Sequence, residues 1–141
     1  MHHAAKPVRT RICVIRHGET AWNVEKRIQG HTDIPLNETG RVQALAMAFN
    51  AAHHRFGAIY SSDLTRALET ARVLAQREEM EVKCLPQLRE RHFGLFQGLT
   101  AAEGAERYPQ AYAHYVARDL DYDFETGESL RGFAGRGGEA I

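Results

Sequence analysis

The chain carries no surplus of charge: eighteen Lys and Arg balance eighteen Asp and Glu. No global field would therefore hold it on nucleic acid or an anionic membrane, and any affinity for anions must be local. It has only two cysteines, Cys13 and Cys84, without paired-ligand spacing, which excludes a disulfide framework. Both sit inside apolar runs and are expected to be reduced core thiols. Cys-x-x-Cys, His-Glu-x-x-His and calcium-loop spacings are all missing, so no metal cofactor is expected. No apolar run approaches the roughly 20 residues a membrane helix needs, and the N-terminus lacks the apolar stretch of a signal peptide. A cytoplasmic protein is the expectation. What remains is an ordinary globular composition, 43% hydrophobic and 26% charged over 141 residues, enough for one core and one domain spanning residues 1–141.

Arg11 to Ile15 is a short β-branched run that stops abruptly at Arg16-His17-Gly18, as a buried strand opening into a loop would. The stretch from Gly18 to Pro35 is long for a connection in a compact domain, which favours a functional loop. Asn37 can cap a helix whose Val42, Leu45, Ala46 and Phe49 recur at helical spacing to cover one sheet face. Ala58 to Tyr60 predicts a second strand. Ser61-Ser62-Asp63 then supplies capping residues for a helix along Leu64, Ala67, Leu68 and Ala71. Glu81 to Leu85 predicts a third strand. Alternation of this kind implies a three-layer α/β/α domain with a mainly parallel sheet. Thr100-Ala-Ala-Glu103 has the form of a capping box, and Pro109 suits the first turn of a further helix. Tyr108, Tyr112 and Tyr115 follow helical spacing, which points to packing. Past Gly127, the glycines at 132, 135, 137 and 138 predict only a weak helix.

Chemistry on a phosphate monoester needs a nucleophile in line with phosphorus, cations around the equatorial oxygens and an acid for the leaving oxygen. The carboxyl edge of a parallel sheet is where such ligands bind, and it is where Arg16-His17-Gly18 and Arg66 are expected. His17 is the candidate nucleophile, because a neutral imidazole nitrogen can attack phosphorus at physiological pH. Arg16 beside it would be hard to bury without an anion, which weighs against a merely structural histidine. Arg16 and Arg66 are the candidate clamps, since planar guanidinium donors match phosphate oxygens. Glu90, in Leu88-Arg-Glu-Arg-His-Phe-Gly94, is the candidate acid. His31 is read as a loop residue without a special role.

Arg16-His-Gly-Glu-Thr-Ala-Trp-Asn23, Gln29-Gly30, Ser61-Ser-Asp-Leu-Thr-Arg66 and Glu90-Arg-His-Phe-Gly94 resemble the signatures of cofactor-dependent phosphoglycerate mutases and related phosphatases, the histidine phosphatase superfamily. The resemblance runs from the first predicted strand to Gly127-Glu128-Ser129. It implies a phosphoglycerate mutase-like fold and a phosphohistidine on His17. It also implies a proton donor in Glu90 and catalytic phosphate contacts from Arg16 and Arg66. The loop residues Gly18, Glu19, Thr20, Asn23, Gln29 and Gly30, together with Arg91, His92 and Phe93, are then expected to bind substrate.

Two departures bear on the activity the resemblance implies. Where the mutases carry a lysine and an arginine pair after the glutamate, this chain has Ala101, Ala117 and Arg118. A mutase must hold a doubly phosphorylated intermediate while it turns, so fewer cations favour release and hydrolysis. The family's second histidine, on a later strand ending near His-Gly, has no counterpart after Ser129, so the family domain is expected to be incomplete at its C-terminal end. Hydrolysis of a small phosphorylated metabolite is the leading expectation, without a cofactor. The alternatives are a mutase, which would use 2,3-bisphosphoglycerate, and a catalytically impaired phosphate-binding module. An open sheet edge would also invite self-association.

Overall fold

A computed structural model describes residues 8–140. The Gly18–Pro35 stretch forms a single turn of helix, α1 (Ala21–Val24), started by a reciprocal capping box between Thr20 and Asn23. It is pinned by isolated antiparallel bridges from Thr20 to Leu36 and from Arg27 to Thr100. Helix α2 (Glu38–Asn50) begins where the Asn37 side chain accepts the Gly40 amide. Strand β1 (Ile59–Ser61) follows, then α3 (Thr65–Arg77) and β2 (Val82–Cys84). The two strands pair in parallel, Ile59 opposite Val82 and Ser61 opposite Cys84, with α3 as the crossover that a parallel pair requires. Helices α4 (Ala101–Arg107), α5 (Pro109–Ala117) and α6 (Leu130–Glu139) complete the order. The capping box of α4 has both halves, and Pro109 stands in the first turn of α5. The chain is an α/β protein with a parallel sheet.

Two apolar clusters form. Ala48, Ala51, Ile59, Leu74 and Ala75 join α2, α3 and β1. Phe96, Ala111 and Phe124 form the second, with Ile28, Phe93, Tyr112 and Tyr115 packed around them.

Five expectations change. Arg11–Ile15 joins no ladder, because β1 has β2 as its one neighbour among the described residues. β-Branched residues favour a strand only when a partner strand is there to receive them, and Ile12 and Val14 are exposed. On α2, Val42, Leu45 and Phe49 point outward, while Gly40, Ala44 and Ala48 are buried. Their four-residue spacing gives the helix a smooth small-residue stripe that lets its backbone come close to its neighbours. Third, the α3 cap does not come from Ser61-Ser62-Asp63. The Asp33 carboxylate, from the earlier loop, accepts both the Thr65 amide (2.7 Å) and the Thr65 hydroxyl (2.8 Å).

Fourth, Cys13 and Cys84 are exposed rather than core, because one lies in the unladdered run and the other on sparsely covered β2. Finally, the glycine-rich C-terminal stretch does form a helix. Ser129 caps α6 at the Gly132 amide, and Arg136 ties it to the Gln87, Arg89 and Glu90 carbonyls. These tertiary ties offset the poor propensity of glycine.

Candidate active site

His17 enters the site through a tight backbone crossing. Gly18 and Gly40 meet so closely that a Cβ on Gly18 would lie 2.9 Å from the Gly40 Cα. One Cβ on Gly40 would in turn lie 2.8 Å from the Glu19 nitrogen. The crossing is held by polar contacts on both sides. Gly18 donates its amide to the Thr70 hydroxyl (3.1 Å), which itself donates to the Arg66 carbonyl (2.8 Å). Glu19 donates its amide to Gln43 and accepts the Asn37 side-chain amide on Oε1 (2.9 Å). The His17 loop is thereby fixed to α2 and to the turn of α3 that carries Arg66.

Nδ1 of His17 lies 2.6 Å from the Gly18 carbonyl. A carbonyl can only accept, so Nδ1 carries the proton and Nε2 keeps its lone pair. Burial lowers the His17 pKa, the Gly18 carbonyl opposes this, Arg66 and Arg16 lower it further, and Glu90 raises it. The net direction is down, which keeps the ring neutral and nucleophilic. These shifts also place both guanidiniums and the Glu90 carboxylate within electrostatic reach of one imidazole.

Arg66 is 1% exposed. It donates through Nη1 to the Thr32 carbonyl (2.9 Å) and through Nη2 to the Gly30 carbonyl (2.6 Å). Burial lowers its pKa against the pull of Glu90 and Asp33, but a guanidinium stays charged in proteins. Arg16 is exposed beside His17. The Thr20 hydroxyl, fully buried, lies 2.7 Å from Gln29 Oε1 and 3.0 Å from Asn23 Oδ1. Gly30 takes φ +54°, which turns its carbonyl towards Arg66. His17, Arg16, Arg66 and Glu90 thus share one neighbourhood, with Gly18, Glu19, Thr20, Asn23, Gln29 and Gly30 forming its bonded frame.

Two of the expected pocket residues lie elsewhere. Arg91 is buried, donating to the Tyr122 and Glu128 carbonyls (2.9 Å each), with its guanidinium 4.9 Å from the Phe124 ring centre. Phe93 packs edge-on against Tyr115 and Phe124. Both serve the aromatic cluster, Arg91 lying over the Phe93 and Phe124 rings. His92 stands between the two regions, its ring 4.6 Å from that of His31. A concavity of about 640 Å³ between α3 and β2 is lined by none of these site residues, so bonding and charge mark the His17 site better than hollow volume does. Among the described residues, no group of three or more His, Cys, Asp or Glu is arranged to hold a metal.

The profile of the histidine phosphatase superfamily (branch 1) matches residues 12–141. The chain belongs to that superfamily. It is 44% identical over 122 residues to phosphoglycerate mutase-like protein 4 of Arabidopsis thaliana, covering 84% of this chain and 53% of that one. It is 43% identical over 138 residues to the metal-independent phosphoserine phosphatase of the same plant, covering 94% of this chain and 57% of that one. Among solved structures, a mycobacterial glucosyl-3-phosphoglycerate phosphatase complexed with VO3 superposes with a TM-score of 0.81 at 38% identity. That superposition covers 88% of this chain and 61% of that one. The chain therefore spans little more than half the length of the relatives it matches.

Within this histidine phosphatase frame, Thr70, Gln43 and His31 hold the site although none of them has a role assigned from sequence. Thr70 stands one helical turn after Arg66, a spacing that could have flagged it. His31 lies next to Gly30 but donates 2.8 Å to the Glu90 carbonyl, a contact across the sequence that no local signal announces.

Proposed function

We propose that the protein hydrolyses a small phosphate monoester through a phosphohistidine on His17. The reading rests on one observation above all: an imidazole whose Nδ1 lies 2.6 Å from the Gly18 carbonyl, which leaves Nε2 as the attacking nitrogen, on a ring whose charge Arg66 and Arg16 both disfavour. In the first step Nε2 forms a bond to phosphorus while the bond from phosphorus to the ester oxygen breaks, and Glu90 gives its proton to the departing oxygen. Arg16 and Arg66 stabilise the equatorial oxygens as charge spreads over them. Asn23, whose Oδ1 is held by the Thr20 amide, offers its NH₂ group to the same oxygens. Water then attacks phosphorus, Glu90 takes back a proton, and His17 leaves. No step is assigned to a metal.

The names of two relatives, a phosphoserine phosphatase and a glucosyl-3-phosphoglycerate phosphatase, support a small phosphorylated metabolite as substrate. A cytoplasmic setting goes with that substrate class; among the described residues no helix is long and apolar enough to cross a membrane. Association with a second chain along the unladdered 11–15 run belongs to the same proposal. The mutase-like relative favours a second reading, a mutase using 2,3-bisphosphoglycerate. Ala101 and Ala117 weigh against it, because neither supplies a cation for a second phosphate.

Brief contact with a radiolabelled phosphate ester tests the proposal. It predicts label that is stable in alkali, labile in acid and absent in His17→Ala. Reversible phosphate binding with no covalent label at all would instead support the catalytically impaired binding module.

A further inference from the structure

Outside the His17 neighbourhood, one guanidinium stands out because all five of its N–H donors are engaged. Arg136, on α6, grips Glu128 as a fork: Nε to Oε1 at 2.7 Å and Nη2 to Oε2 at 2.9 Å. Its remaining donors go to three carbonyls of one short segment, Gln87 (2.7 Å), Arg89 (3.0 Å) and Glu90 (3.2 Å). Glu128 completes the grip by accepting the His92 amide at 2.9 Å. The backbone on either side of Glu90 is therefore held by one ion pair, both members of which are half-buried. His31 Nε2 also donates to the same Glu90 carbonyl at 2.8 Å. The amide of His31 is itself bonded to Gln97, and the adjacent Gly30 carbonyl holds Arg66.

We infer that Arg136 and Glu128 are positioning residues that fix the Glu90 carboxylate relative to His17 and Arg66, with His31 as the strut joining the two. The inference rests on the proposed role of Glu90 as the acid. A lone surface pair would need neither three backbone carbonyls nor a backbone amide; this arrangement fixes the register of residues 87–92 and so the direction in which side chain 90 leaves the chain. Lysine cannot replace the fork, because an ammonium is a point donor without planar geometry. The cation matters here for its shape more than for its charge.

The test uses the whole chain with p-nitrophenyl phosphate as probe. Arg136→Lys and Glu128→Gln are expected to lower kcat by roughly 10- to 100-fold with KM little changed, as loss of an orienting partner typically does. In a Glu90→Gln background, Arg136→Lys should lower kcat no further. Arg131→Ala, on the same helix but in an exposed pair with Asp121, should leave kcat unchanged. Effects of Arg136→Lys and Glu90→Gln that multiply, or an equal loss in Arg131→Ala, overturn the inference.

If the unaltered chain neither turns over the probe nor takes up label, the proposed function has failed by itself. Positioning is then read directly, by carbon NMR titration of the Glu90 carboxyl and by hydrogen exchange of the His92 amide. A displaced titration with faster exchange in Arg136→Lys and Glu128→Gln supports the inference. No change in either measurement overturns it.

Discussion

Around Phe96 and Phe124 the chain closes on itself, whereas along α2 it buries alanines and turns its larger apolar groups outward. Phe96 and Phe124 are 0% and 1% exposed, with Arg91 stacked over the latter ring. On α2, Val42, Leu45 and Phe49 are exposed, as are Ile12 and Val14 in the run before His17. The aromatic region draws its partners from nearby loops and helices, so it completes its packing with what residues 28–124 supply. The α2 region depends on backbone approach through Gly40, Ala44 and Ala48, and its Val42, Leu45 and Phe49 stay exposed, Phe49 meeting the Arg77 guanidinium. The candidate site straddles both. His17 and Arg66 are held by α2 and α3, while Glu90 is held by the loop that leads into the aromatic cluster.

This contrast can be broken at its strongest point. Phe96→Ala is expected to cost about 3–5 kcal/mol in denaturant unfolding, the range for emptying a buried aromatic site. Phe49→Ala, which loses only the exposed stacking of Arg77, should stay within about 0.5 kcal/mol. Equal losses would show that the α2 face is packed after all. Next in size is Gly40→Ala, where the added methyl meets Glu19 backbone that cannot swing aside. A loss of about 1–3 kcal/mol is expected, with slower labelling of His17 because its loop is displaced. A stable, fully active Gly40→Ala would dismiss the tight crossing.

Acidity sharpens the comparison from the side of the site. The folded-state pKa of His17 is depressed, so its neutral form contributes stability that is present above the ordinary imidazole value of about 6.5 and is lost as pH falls through the folded value. The acid limb of the labelling rate should therefore lie below that ordinary value. Arg66→Met, which removes a cation that lowers the His17 pKa, should move the limb upward; an unmoved limb would mean that Arg66 does not act on the ring. A small gain rather than a loss is expected on α6. Gly137 has nothing within 4 Å of an added Cβ, so Gly137→Ala should stabilise by about 0.5–1 kcal/mol without changing turnover, as measured by thermal melting and by the p-nitrophenyl phosphate assay.

What could be read from sequence followed local rules. Asn37 and Thr100 cap the helices they precede, Pro109 starts α5, and the parallel pair falls within a residue or two of its expected bounds. These features depend on neighbours in the chain. The misreadings arose where distant contacts decide. Arg11–Ile15 has a strand's composition but no partner to ladder with. Asp33, 32 residues away, took the capping role expected of Ser61-Ser62-Asp63. In the site, His17, Arg66 and Glu90 stood out through the chemistry their side chains can perform. Arg91 shares that chemistry, yet its guanidinium stacks over the Phe93 and Phe124 rings of the aromatic cluster. Arg136 was hidden for the opposite reason, since a glycine-rich helix end gives no hint that its guanidinium reaches Glu90.

Which nitrogen of His17 takes phosphate is the most direct measure of the account. With Nδ1 committed to the Gly18 carbonyl, phosphorus and nitrogen NMR of the trapped, labelled chain should place the phosphoryl group on Nε2 and nowhere else. A phosphoryl group on Nδ1, or on any residue other than His17, would contradict it.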